Sequence, residues 1–317
     1  MNRPMKTGQT RMVYWARLLG AGVLSFYLLF LIGFAWMSAS AMTRPAWHPV
    51  CCDTPEVFDA AYEDITLMTE DGLQLPGWYI PSRNGAAVIL LHGYGGDRGG
   101  TLAHARMLYR HGYGVLLYDQ RASGESGGDV RSWGWRDVAD VEAAIRFLSD
   151  RPDLDSPLFG VLGCSTGAEI AIGAGAQYDE IGAVIADAPY YATARDAWPP
   201  YEFKDWLGWP VYPLFITFIE WQSGESAPLS LSKAVGQIAP RPLLLIAAGE
   251  NDYEQYRAEG YYKKASPPKD YWIVEGATHC SGPITQPSLY EEKIISFFNQ
   301  ALIAPQSMEM VDTPTAQ

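Results

Sequence analysis

A serine stands between two glycines in FGVLGCSTGAEIAIG, residues 159–173. An apolar run precedes Ser165 and a small-residue run follows it. That pattern predicts a strand, a sharp turn and a helix, the setting that lifts a nucleophilic hydroxyl into the open. A serine hydroxyl is a poor nucleophile until a base takes its proton. The chain has five histidines: His48, His92, His104, His111 and His279. His279 lies in EGATHCSG, a glycine-flanked loop after the last strand-like run, and is the expected base. His48 falls in a stem, His92 ends a strand, and His104 and His111 fall on a predicted helix as surface residues. The base in turn needs a carboxylate to hold its tautomer and stabilise its charged form. Asp252, just after the strand PLLLIAAG, is the expected acid. Asp187, at the end of IGAVIADAP, is the alternative, and Glu250 ranks behind both.

The G-x-S-x-G pattern occurs twice, because Gly124-Glu125-Ser126-Gly127-Gly128 also fits it. A nucleophile elbow needs a strand directly before the serine and a helix directly after. Ser126 sits several residues past its strand in a polar, glycine-rich loop, so a structural role is expected there. Ser165 follows PLFGVLG at once and leads into AEIAIGAGA, so it is the candidate nucleophile.

These side chains have to be placed by a scaffold. YEDITLMT and LQLPGWYI flank Glu70-Asp71-Gly72 and predict a hairpin. AAVILLH, YGVLLYD, PLFGVLG, IGAVIADAP, PLLLIAAG and YWIVEG are short strand-like runs, most of them continuously apolar, as in a buried parallel sheet. Helix-like stretches separate them, among them Leu102 to His111, WGWRDVADVEAAIRFLSD and Ser288 to Ala301. Alternating strands and helices predict an α/β domain over residues 61–303, with a mostly parallel central sheet and helices on both faces. The stretch 190–232 interrupts the alternation with Tyr191, Trp198, Trp206, Tyr212, Phe215 and further aromatics. It is expected to form a small cap over an apolar pocket. A disordered tail is expected over 304–317.

The N-terminus is a separate unit. Arg3, Lys6, Arg11 and Arg17 precede a charge-free stretch at 18–43. About 20 apolar residues suffice to cross a bilayer, so 18–41 reads as a signal anchor and 42–60 as a stem. The basic flank places residues 1–17 in the cytoplasm and the main domain outside. A secreted protein released by cleavage at the Ala39-Ser40-Ala41 site is the alternative. The net charge of −13 argues against nucleic acid as a partner. Four cysteines, with no C-x-x-C pair, imply neither a disulfide framework nor a zinc site. Cys51 and Cys52 are too close to pair with each other without strain.

Three motifs carry a resemblance: LLHGYGGD at 90–97, YDQRASGES at 118–126 and GCSTG at 163–167. With the loops that hold Asp252 and His279, they make the chain similar to α/β hydrolases of the serine aminopeptidase-like and BEM46-like families. The order Ser165, Asp252, His279 agrees. By that resemblance His92 and Gly93 are structural, and the backbone N–H groups of Tyr94 and Thr166 form the oxyanion hole. Ala122 stands where the family has glycine, as does Ala168 after the elbow. The implied activity is hydrolysis of an ester, thioester or amide through an acyl-enzyme, with no metal or organic cofactor. The aromatic insertion and the membrane segment favour a small-molecule or lipid-like acyl substrate. The alternatives are a peptidase anchoring its substrate amine on Glu202, Asp205, Glu220 or Glu225, an acyltransferase, and a non-catalytic binding protein on the same fold.

Overall fold

The computed structural model describes residues 7–44 and 49–304. Arg3, Lys6, His48 and the expected tail beyond Ala304 lie outside the described residues. The first described element is α1 (Thr7–Thr43), free of charge from Leu18 onward and long and apolar enough to cross a membrane. Then follow β1 (Glu63–Met68) and β2 (Gln74–Ile80), paired antiparallel through the expected turn, with Gly72 at φ 81°.

From there strands and helices alternate: β3 (Ala87–Leu91), α2 (Leu102–Arg110), β4 (Gly114–Tyr118), α3 (Trp135–Ser149), β5 (Phe159–Cys164), α4 (Thr166–Gln177) and β6 (Ile181–Asp187). The insertion holds α5 (Asp205–Gly208), α6 (Val211–Ser223) and α7 (Leu231–Ala234). The chain ends with β7 (Leu243–Ala248), α8 (Asp252–Lys264), β8 (Lys269–Val274), α9 (Gly282–Thr285) and α10 (Pro287–Phe298).

The strands form one sheet in the order β1-β2-β4-β3-β5-β6-β7-β8, antiparallel at β1-β2-β4 and parallel from there on. Every residue of β3, β4, β6 and β7 is buried, which is why these strands read as unbroken apolar runs. Helices cover both faces, giving two separate apolar layers. The central strands β3, β5, β6 and β7 end together, and Ser165 and Asp187 stand at their carboxyl ends, the edge where open α/β sheets bind ligands.

Two expectations about side chains change. Cys51 and Cys52 pair with each other, and Cys164 pairs with Cys280. His104 is buried rather than on the surface, with Nε2 3.2 Å from the Tyr290 hydroxyl. Burial pushes its imidazole down to about 4, so it is neutral near pH 7.

Candidate active site

Ser165 joins the end of β5 to the start of α4 with φ 56° and ψ −123°, a backbone conformation that side-chain-bearing residues seldom adopt. Its N–H donates to the Asp187 carbonyl, and its own carbonyl accepts from the N–H groups of Ala168 and Glu169. The two motif glycines are dictated by space. A Cβ on Gly163 would lie 2.0 Å from the Gly167 carbonyl oxygen, and one on Gly167 would lie 2.2 Å from that of Leu91. Either collision would pull β5, α4 and β3 apart.

His279 is on the loop after β8, where the sequence put it. Its partner is not Asp252. Nδ1 of His279 donates to Oε1 of Glu254 at 2.6 Å. Asp252 begins α8 and is exposed. Two residues of helix rotate a side chain by about 200°, so Asp252 faces outward when Glu254 faces in. Asn251 fixes that phase, since its side chain accepts from the Glu254 N–H at 3.2 Å and caps the helix.

Glu254 is wholly buried and also accepts from Tyr190 Oη, Asn251 Nδ2 and the Ala248 N–H. Burial alone would raise its pKa. The bond from His279 and the other donors outweigh that and hold the carboxyl below its ordinary value. It is therefore ionised near neutral pH, as a partner for an imidazolium should be. An N-cap asparagine followed three residues later by glutamate was the available signal for it in the sequence.

Asp187, the other alternative, ends β6 beneath this pair. It accepts from the Tyr290 hydroxyl at 2.8 Å and does not bond His279. Its pKa is pushed up to about 6, by burial first and by the Glu254 charge nearby. Glu250 accepts no bond from His279 either.

The disulfide ties the two halves of the site together. Cys164 immediately precedes Ser165 and Cys280 immediately follows His279, with their Cα atoms 6.1 Å apart. The Tyr190 ring lies against the imidazole, centroids 5.2 Å apart. Gly93 closes the other side, where a Cβ would come within 3.3 Å of the Ser165 Cβ. The expected oxyanion donors are adjacent. The Tyr94 N–H donates to Thr166 Oγ1 at 3.1 Å, and the Thr166 N–H belongs to the first turn of α4, where no intrahelical carbonyl is available. His92 serves the backbone, with Nδ1 on the Gly93 carbonyl and Nε2 accepting from the Gln120 N–H.

Ser126 takes no part. Its hydroxyl donates to the Asp119 carbonyl at 2.5 Å and closes the loop. Ala122 sits at φ 53°, which accounts for the glycine it replaces. Among the described residues no group of His, Cys, Asp and Glu is arranged to hold a metal ion.

Residues 82–238 match the family model described as serine aminopeptidase, S33. An uncharacterized protein of Mycobacterium tuberculosis is 27% identical over 283 residues, 87% of this chain and 92% of that one. A thiohydrolase of Aspergillus aculeatus is 31% identical over 147 residues, 45% of this chain and 46% of its own. The solved structure of a Pyrococcus furiosus esterase superposes with a TM-score of 0.66 at 25% identity, covering 82% of this chain and 98% of that one. Likeness to an esterase along nearly that protein's whole length, and to the aminopeptidase model across the elbow, places this chain among the enzymes of the α/β-hydrolase superfamily.

Proposed function

We propose that the protein is a membrane-anchored serine hydrolase of carboxylic esters or thioesters, with Ser165, His279 and Glu254 as its triad. The observation that carries this reading is the 2.6 Å bond from His279 Nδ1 to a buried, ionised Glu254, tied by a disulfide to a serine on a strained elbow. Ser165 Oγ attacks the substrate carbonyl carbon while His279 Nε2 takes its proton. The tetrahedral oxyanion is met by the N–H groups of Thr166 and Tyr94, the latter turning from the Thr166 hydroxyl to the substrate. The bond to the leaving alcohol or thiol breaks as His279 returns the proton to it. Water, deprotonated by His279, then splits the acyl-enzyme and releases the acid.

Esterase and thiohydrolase relatives favour esters and thioesters over peptides. So does the engagement of three of the insertion's four candidate acids, all but Glu225. Glu202 pairs with Lys204, Asp205 accepts from the Glu202 N–H, and Glu220 accepts from the Ala227 N–H. The charge-free stretch of α1 and its basic flank support a single-pass anchor with the catalytic domain outside.

The test uses the full chain in detergent. Wild type, Ser165→Ala and Ser126→Ala are compared for labelling by a fluorophosphonate and for hydrolysis of p-nitrophenyl esters. Wild type and Ser126→Ala are expected to label and turn over, and Ser165→Ala to do neither. A folded wild type that neither labels nor turns over removes the proposal.

A further inference from the structure

The lower half of α1 stands clear of the domain, but the upper half is built into it. Leu31, Ala35, Ala39 and Thr43 recur every fourth residue and are all buried, a stripe that faces α6 and its buried Phe215, Ile216 and Ile219. Trp36 meets Phe218 edge-on and Trp221 at a tilt, with centroids 5.3 and 5.1 Å away. The Tyr27 hydroxyl donates to the Leu207 carbonyl. The end of the helix reaches the site loops, where the Tyr94 hydroxyl donates to the Ala41 carbonyl at 3.1 Å and the Arg131 N–H to that of Thr43 at 2.9 Å.

Between α1 and the insertion lies a largely apolar cavity of about 460 Å³, with Asp205 and Ser38 the polar side chains besides tyrosine on its lining, within the ~300–1,000 Å³ range of small-ligand sites. Phe30, Phe34 and Met42 form one wall, Tyr212 and Phe215 the other, and Trp133 and Tyr191 the floor. Neither Ser165 nor His279 lines the cavity, and the floor residues approach them through one further tyrosine each. The Trp133 ring lies 5.9 Å from that of Tyr94, whose N–H reaches Thr166. Tyr191 follows Tyr190, the ring against His279.

The depth of the mouth identifies the occupant. A hydrocarbon core of ~30 Å takes ~20 helical residues. Counted from Arg17, the last basic residue before the charge-free stretch, that span ends near Met37. Phe30 and Phe34, both exposed at the mouth, then lie in the outer leaflet. Phe203, Trp206 and Leu207 on the insertion are exposed, Phe203 at 91%. An apolar cavity that opens among lipid tails is reached by a lipid tail, not by a solute from water.

We propose that α1 is part of the substrate site, its residues 30–42 walling a channel for an acyl chain. The substrate class is then a membrane lipid ester whose tail enters sideways from the outer leaflet and whose carbonyl stops at Ser165. This rests on the hydrolase and anchor readings above. The bond broken is the lipid's acyl C–O bond, and the products are a fatty acid and the lipid alcohol, with water as co-reactant.

The test uses the full chain reconstituted in phosphatidylcholine vesicles, with p-nitrophenyl acetate and dodecanoate as probes. Two cavity-filling variants are compared with wild type. Gly208→Phe adds a ring where a Cβ meets nothing within 4 Å, and Ser38→Trp fills from the α1 side. In wild type the dodecanoate, which the vesicle gathers at the channel mouth, is expected to have the higher kcat/KM of the two esters. Both variants are expected to lower the dodecanoate-to-acetate ratio by about tenfold or more. Wild type is also exposed to a lipid with a photoactivatable acyl chain; α1 is labelled wherever it meets bulk lipid, and the label that marks the channel is expected on the peptides holding Trp133 and Tyr191. Turnover of acetate with an unchanged ratio, or label on α1 with none on the peptides holding Trp133 and Tyr191, overturns the channel and leaves the hydrolase intact. No turnover of either ester overturns the hydrolase reading and the channel with it. Release of the protein from vesicles by alkaline carbonate overturns the anchor reading and likewise the channel.

Discussion

Oε1 of Glu254 lies 2.6 Å from Nδ1 of His279, while Asp252, one turn-face away on the same helix, points to solvent. The two acids therefore predict opposite outcomes. Glu254→Gln keeps the shape but removes the charge that stabilises an imidazolium and fixes its tautomer. It is expected to lower kcat by about a thousandfold to ten-thousandfold. Asp252→Asn is expected to leave kcat within about twofold, as exposed substitutions do. Steady-state kinetics on one short ester, with circular dichroism to show both variants folded, decides between the carboxylates.

The disulfide makes a second prediction. It closes a loop spanning 116 residues, for which chain entropy assigns about 4–5 kcal/mol of stability. It also holds the loop of His279 to the strand that delivers Ser165, so its loss should affect rate beyond its effect on the folded fraction. Cys164→Ser with Cys280→Ser is expected to lower the Tm, and to cut kcat at temperatures where the protein is still fully folded. Reduction of wild type by dithiothreitol should reproduce both effects, and reoxidation should reverse them. Unchanged kcat in the folded double variant would mean the bond serves stability alone.

Buried carboxylates predict the pH dependence of stability. Burial pushes Asp187 up to about 6, Asp137 to about 7 and Glu169 to about 8. Each binds its proton more tightly in the folded chain than in the unfolded one. Their contribution is therefore full below about pH 4 and is lost as pH rises through these values, at roughly 1.4 kcal/mol per unit for each group while it titrates. Glu254, held low, works the other way and costs stability only in acid. The Tm is expected to be higher near pH 5.5 than near pH 8.5. Glu169 is the clearest contributor: Oε1 accepts from the N–H groups of Tyr190 and Tyr191, while Oε2 is buried without a partner among the described residues. Glu169→Gln keeps the Oε1 acceptor and removes the charge, so its Tm should fall less between those two pH values.

Much of this architecture is legible in the chain because a doubly covered parallel sheet needs strands apolar on both sides, and β3, β4, β6 and β7 are such runs. Ser165 and His279 are legible for a related reason, since each sits in the first turn after a recognisable strand. Glu254 is not. Three acids follow β7 within six residues, and which one faces inward depends on where α8 begins. A one-residue shift of that start turns the helix face by about 100°. The Cys164–Cys280 pairing is hidden too, because only the folded sheet brings strand ends 116 residues apart together. In α1 the apolar residues go all the way round, so no amphipathic pattern marks the stripe from Leu31 to Thr43 that meets α6.

That stripe carries the last prediction. If α1 were only a tether, a chain beginning after Thr43 would keep its stability and its substrate preference. Its removal instead bares Phe215, Ile216 and Ile219, which pack with Ala35 and Ala39 in one buried cluster. It also removes the Thr43 carbonyl that receives the Arg131 N–H and the Ala41 carbonyl that receives the Tyr94 hydroxyl. An exposed apolar helix face of this kind promotes association. The shortened chain is expected to have a lower Tm, to bind the dye ANS, and to be kept monomeric only by detergent. A truncated protein that is monomeric without detergent, with the Tm of the full chain, would show that α1 contributes nothing to the folded domain.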